Sequence, residues 1–145
     1  MSTKNVLVLC TGNSCRSQMA QGYLKSLGQG WFNAYSAGVE THGLNPDAVA
    51  AMKRDGIDIS GHTSNHIDEY ADVEFSAVIT VCDNAKERCP YFPTQAKKLH
   101  HNFSDPSKYE GSPEDKIKEF DRVRGEIKAY CQNFVEEWKQ ENTQG

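Results

Sequence analysis

Cys10 and Arg16, separated by Thr11, Gly12, Asn13, Ser14 and Cys15 and followed at once by Ser17, are the residues of this chain best suited to chemistry. A thiol attacks only as its thiolate. Backbone dipoles, a helix N-terminus and a guanidinium all favour that form. The same groups bind a tetrahedral anion, because loop N–H groups converge on its oxygens and the planar fork of Arg16 meets two of them. The run therefore reads as one site that binds an oxyanion and attacks it. Cys10 is the expected nucleophile, and Thr11, Gly12, Asn13, Ser14, Cys15 and Arg16 are the expected oxyanion-binding residues. Cys10 is expected to lose its proton easily. Gly12 is expected to supply a backbone angle that a side chain opposes. Asn13 tolerates the left-handed region and can bond within its own loop. Ser17 offers its hydroxyl to the sulfur, and the Cys15 side chain is expected to point away from the anion. The competing interpretation is a buried strand-end cysteine and a surface arginine. The strand before and the helix after favour the cradle.

Cys82 and Cys89 carry the remaining thiol chemistry. Cys82 follows an apolar strand, and Cys89 lies just before Pro90 across a polar stretch. If that stretch is helical, both side chains share a face but stand about 10 Å apart, too far for a disulfide. The segment is therefore expected to be a mobile redox element that unwinds to join its sulfurs. Two unrelated surface thiols are the alternative. A zinc site with His100 and His101 lacks the usual close ligand pairs, and no metal site is expected. His62 and His66 are four residues apart without a clear third ligand, so they and His42 read as solvated or locally bonded. Cys131 lies beside an apolar helical stripe and reads as packing.

The elements that must position these residues alternate. Val6 to Leu9 reads as a strand buried on both faces, and Ser17 to Leu27 as a helix stopped by Gly28. Trp31 to Ala37 reads as a second strand ended by Gly38. Asn45-Pro46-Asp47 opens a helix running to about Arg54, with Gly56 after its end. Ala77 to Val81 is a third strand, and Lys98 to Phe103 a weaker fourth. Ile117, Phe120, Val123, Ile127, Tyr130, Phe134 and Trp138 recur at helical spacing and predict one long closing helix. The pattern implies an α/β fold: a single domain over residues 1–145 with a parallel sheet of about four strands and helices on both faces. Such sheets bind ligands beyond the carboxyl ends of their strands, which puts Cys10 and Cys82 on one edge.

Composition sets bounds. The chain has 145 residues, a net charge of −4 and five cysteines. A general nucleic-acid surface does not fit that charge, and no apolar run reaches membrane-spanning length. The N-terminus lacks a secretory pattern, and an odd cysteine count without framework spacing fits the reducing cytoplasm. A monomer is expected.

The run Cys10-Thr11-Gly12-Asn13-Ser14-Cys15-Arg16-Ser17-Gln18-Met19-Ala20 resembles the low-molecular-weight protein tyrosine phosphatase superfamily, most closely its arsenate reductase branch. The resemblance extends from Val6 to the last helix. It implies that Cys10 attacks arsenate, a phosphate-like oxyanion, and that Cys82 and then Cys89 carry the electrons outward. It also implies that thioredoxin supplies those electrons with no tightly bound cofactor. The resemblance makes Asp105 the general acid, although on its own Asp105 before Pro106 reads as a turn former. Ser107 stands where the phosphatases favour tyrosine, which leans away from aromatic substrates. Some relatives hold a potassium ion with carboxylates. The matching positions here are the neutral Gln21 and Asn65, with oxygens of Asn13, Ser36 and Thr63 nearby, so a weak site or none is expected. Two other functions compete with arsenate reduction. One is phosphatase activity on phosphotyrosine or a small phosphoester, using Cys10, Arg16 and Asp105. The other is a non-enzymatic oxyanion-binding or redox regulatory module.

Overall fold

The computed structural model describes residues 4–82 and 96–143. Cys89 and the rest of the expected redox segment lie outside those residues. Four strands, β1 (Lys4–Cys10), β2 (Phe32–Gly38), β3 (Ala77–Thr80) and β4 (Lys97–His100), form one sheet in the order β2-β1-β3-β4. Every pairing is parallel. Among the described residues three α-helices, α1 (Arg16–Leu27), α2 (Pro46–Arg54) and α3 (Pro113–Thr143), contact one another.

The central strands are apolar because both of their faces are covered. Val6, Leu7, Val8 and Leu9 have no exposed surface, and each such side chain gains about 1.5–3 kcal/mol on leaving water. On β2 alternate side chains face opposite ways. Phe32 meets Phe134 and Trp138 of α3 edge-on, at 5.9 and 5.2 Å between centroids. Tyr35, three residues on, therefore points to the other face, where it packs on Tyr70 and Phe75. Tyr70 ends a short 3-10 helix, Ile67–Tyr70, that helps to cover this side.

Local signals set most of the boundaries. The Asn45 side chain accepts from the N–H groups of Asp47 (2.8 Å) and Ala48 (3.2 Å), and Pro46 occupies the first turn of α2. Gly28 closes α1 by donating to Leu24 O. Gly56 takes φ +78° just past α2, a conformation that favours glycine. Two expectations need correction. Strand β4 ends at His100 rather than Phe103, since the chain there turns to donate from Phe103 N to Val81 O. Ile117 is 47% exposed and lies outside the stripe, which begins at Phe120 once α3 reaches the body of the protein.

Candidate active site

Strand β1 ends at Cys10 and α1 begins at Arg16, so residues 11–15 form a tight loop at the carboxyl edge of the sheet. The loop is held from outside by its carbonyls. Glu40 N donates to Thr11 O, His42 N to Gly12 O and Asn45 N to Ser14 O, each at 2.9 Å. Gln18 Nε2 donates to Asn13 O at 3.0 Å, and Ser64 Oγ to Gly12 O at 3.1 Å. In a trans peptide the N–H points opposite to the carbonyl. Tying four successive carbonyls outward turns the following N–H groups toward the pocket, as an oxyanion cradle requires. Asn13 sits at φ +48°, the one non-glycine positive φ among the described residues. Its side chain offsets that strain: Nδ2 donates to Ser17 Oγ and Ser36 Oγ, both at 2.9 Å, and Oδ1 accepts from Asn65 N at 2.7 Å.

Gly12 does not have a positive φ. The expected reason for a glycine there is replaced by close approach, because a Cβ would run into the His42 ring. Gly38, noted in the sequence only as a strand end, is the stricter position. A Cβ there would sit 2.8 Å from both Asn13 N and Thr11 O and would also strike Glu40 O.

The pocket over this loop has a volume of about 420 Å³, and Cys10, Cys82, Arg16 and Asp105 all line it. Arg16 is aimed by the segment after β4. Its Nη1 donates to Phe103 O at 2.9 Å, and its Nη2 stands 3.5 Å from Asp105 Oδ2. Its Nε is buried without a partner. An unpaired buried N–H is costly, and an oxyanion in the cradle would satisfy it. Asp105 caps a short 3-10 helix, Pro106–Lys108, through Ser107.

Cys82 lies just past β3 and lines the same pocket as Cys10. Thr11 Oγ1 is 3.2 Å from Cys82 Sγ. This neighbour overturns the expectation of an easily ionised Cys10. The hydrogen bond with Cys82 and then burial push the Cys10 thiol well above its ordinary value, while Arg16 and the Ser17 backbone N–H pull it down. A charge on one sulfur disfavours charge on the other, and burial disfavours both. The Ser17 hydroxyl accepts from Asn13 Nδ2 at 2.9 Å, and its backbone N–H is the part of Ser17 that favours the Cys10 thiolate. Cys15 is buried at the pocket wall and pushed up to about 12, first by burial and then by Asp105. Cys131 packs under α1, its Sγ 3.8 Å from Ala20 O.

The residues at the potassium positions do not fit that ion. Gln21 Oε1 accepts from Ser36 Oγ (2.6 Å), Asn65 Oδ1 from Thr63 Oγ1 (2.7 Å) and Asn13 Oδ1 from Asn65 N. A hard cation prefers charged oxygens, and these neutral ones are already engaged with one another. The histidines are locally bonded. His66 caps the short helix before Tyr70, His62 Nδ1 pairs with Gln18 Oε1 (3.0 Å), and His100 Nδ1 with Thr80 Oγ1 (2.6 Å). Among the described residues no three His, Cys, Asp or Glu side chains gather as metal ligands, and no helix is long and apolar enough to cross a membrane.

A thiol at the end of a central parallel strand, in a tight loop whose carbonyls are tied outward and with an arginine at the following helix start, defines a phosphatase-like α/β protein. The family described as low molecular weight phosphotyrosine protein phosphatase matches residues 5–144, and the chain belongs to it. Among its relatives is an arsenate reductase of Bacillus licheniformis, 51% identical over 137 residues, 94% of this chain and 98% of that protein. Another is an arsenate reductase of Staphylococcus aureus (strain Newman), 49% identical over 134 residues, 92% and 98% of the two chains. A solved structure of an arsenate reductase in the phosphate binding state superposes with a TM-score of 0.79 at 34% identity, covering 93% of this chain and 98% of its own. An arsenate reductase in oxidized state gives 0.81 at 32% identity, covering 94% and 99%.

Proposed function

We propose that this chain reduces arsenate to arsenite by a three-cysteine relay. The observation that carries the reading is that Cys82 lines the same pocket as Cys10, its Sγ held 3.2 Å from Oγ1 of the next residue, Thr11. Ester hydrolysis has no use for a second sulfur there, whereas electron transfer needs one. The names of the relatives point the same way.

The cradle and Arg16 bind hydrogen arsenate, which takes the Cys10 proton. The thiolate attacks arsenic, and Asp105 protonates the departing oxygen, which leaves as water. Cys82 then attacks Cys10. The electron pair of the broken sulfur–arsenic bond stays on arsenic, which leaves as arsenite. Cys89 attacks Cys82 and frees Cys10, so the disulfide ends as Cys82–Cys89. Thioredoxin reduces that bond by thiol–disulfide exchange. No tightly bound cofactor takes part. Residues 1–145 act as one domain and as a monomer, in a cytoplasm reducing enough to keep the thiols ready.

A coupled assay with arsenate, thioredoxin, its reductase and NADPH tests the whole scheme. Cys10→Ser abolishes arsenate-dependent thiol loss. Cys89→Ser gives about one turnover and traps a Cys10–Cys82 bond, visible by peptide mass, because no third thiol resolves it. Repeated thioredoxin-driven turnover by Cys89→Ser would refute the relay. Steady aryl phosphate hydrolysis that exceeds any arsenate reduction and survives loss of both Cys82 and Cys89 would instead favour a phosphatase.

A further inference from the structure

We propose that Ser107 is a positioning residue that dedicates one oxygen of Asp105 to proton transfer. The inference rests on the acid role proposed for Asp105 and extends it. Asp105 Oδ1 accepts twice from Ser107, from the backbone N–H at 3.0 Å and from the hydroxyl at 2.6 Å. A carboxylate oxygen has two acceptor sites, so Oδ1 is fully engaged. The transferable proton is left with Oδ2, the oxygen that stands 3.5 Å from Arg16 Nη2 at the pocket.

The backbone bond alone makes the turn. A turn-forming aspartate before proline needs only the N–H two residues on. The hydroxyl bond is additional and has the short distance of a charge-assisted contact. It stabilises the carboxylate left after the proton departs, and it stops the group from rotating Oδ1 toward the pocket. When an oxyanion draws the Arg16 fork to itself, Oδ2 is already oriented to the leaving oxygen. Ser107 touches the acid rather than the reacting atoms.

Ser107→Ala removes the hydroxyl and keeps the backbone N–H, so the turn and the fold persist. The readout is leaving-group dependence, which a merely structural loss would not produce. A phenol leaving group needs the acid, and a nitrophenol leaving group needs it far less. In Ser107→Ala, kcat for phenyl phosphate should fall about tenfold, while p-nitrophenyl phosphate changes less than about twofold and KM is unaltered for both. Single-turnover loss of the Cys10 thiol with arsenate should slow by a similar factor. Ser107→Thr, which restores a hydroxyl, should recover both rates. Equal slowing of the two esters, an effect on KM alone, or failure of threonine to rescue would overturn the proposal. If the ester pattern holds while the unaltered chain consumes no thiol with arsenate, Ser107 keeps this role and the arsenate reading falls. An unaltered chain inert toward all three substrates would overturn both.

Discussion

At the residue scale, the Cys10–Cys82 pair shapes the reactivity of the pocket. Burial alone would raise a thiol, but the largest effect on Cys10 is its contact with Cys82. Removing that contact leaves Arg16 and the Ser17 N–H opposed only by burial. In Cys82→Ala the pH profile of Cys10 alkylation by iodoacetamide, followed on the Cys10 peptide by mass, should therefore move to lower pH. An unchanged or upward-moving profile would show that Cys82 does not raise the Cys10 thiol. Cys15, pushed up to about 12 in the same pocket wall, stays a neutral thiol at physiological pH. That fits a residue that shapes the loop without competing as a nucleophile.

At the element scale, the cradle exists because three segments meet: the loop after β1, the end of β2 and residues 40–45. Gly38 is where they are closest. Register pairs it with Cys10 across the sheet, and backbone atoms of Thr11, Asn13 and Glu40 surround its Cα. Gly38→Ala has to displace backbone and should cost about 1–3 kcal/mol of stability, the range for overpacking a tight site. Gly12→Ala meets only the His42 ring, whose side chain is 55% exposed and held by one surface contact, to Glu40, so displacing it should cost clearly less. Urea denaturation of the two variants compares them directly, and a larger loss in Gly12→Ala would contradict this account.

At the scale of the whole molecule, α1, α3 and the end of α2 are joined by a partly exposed polar contact around Asp55. Tyr23 of α1 donates to Asp55 Oδ2 at 2.7 Å, and Lys128 of α3 pairs with the same oxygen at 3.0 Å. Tyr23 and Lys128 hold the Asp55 carboxyl below its ordinary value of 3.8. Its stabilisation is therefore present above that value and is lost as pH falls through the depressed one. Burial pushes Cys131 and Tyr23 upward. Folding favours their neutral forms, so that stabilisation is complete below the ordinary thiol value of 9.0 and declines as pH rises toward the raised values. The unfolding free energy should fall between about pH 9 and 11, with each such group adding up to about 1.4 kcal/mol per pH unit to the slope. Cys131→Ala lowers stability overall through its cavity but should flatten that alkaline slope. An unchanged slope would mean that the buried thiol does not contribute.

Local order told most of the story in advance. Val6 to Leu9 is apolar because both faces of β1 are covered, Asn45-Pro46 caps α2, and Asn13 takes the left-handed turn that its side chain can satisfy. These are short-range preferences, readable from a few neighbouring residues, and the loop from Cys10 to Arg16 follows from them. Contacts between residues distant in the chain were decided by tertiary structure. The order β2-β1-β3-β4 puts Cys82 against Cys10, and the turn after β4 brings Phe103 and Asp105 to Arg16. Sequence spacing carries no measure of how closely such segments approach. That Cys82 bears on the Cys10 thiol, why Gly38 must lack a side chain and which oxygen of Asp105 faces the pocket therefore emerged only from the packed fold.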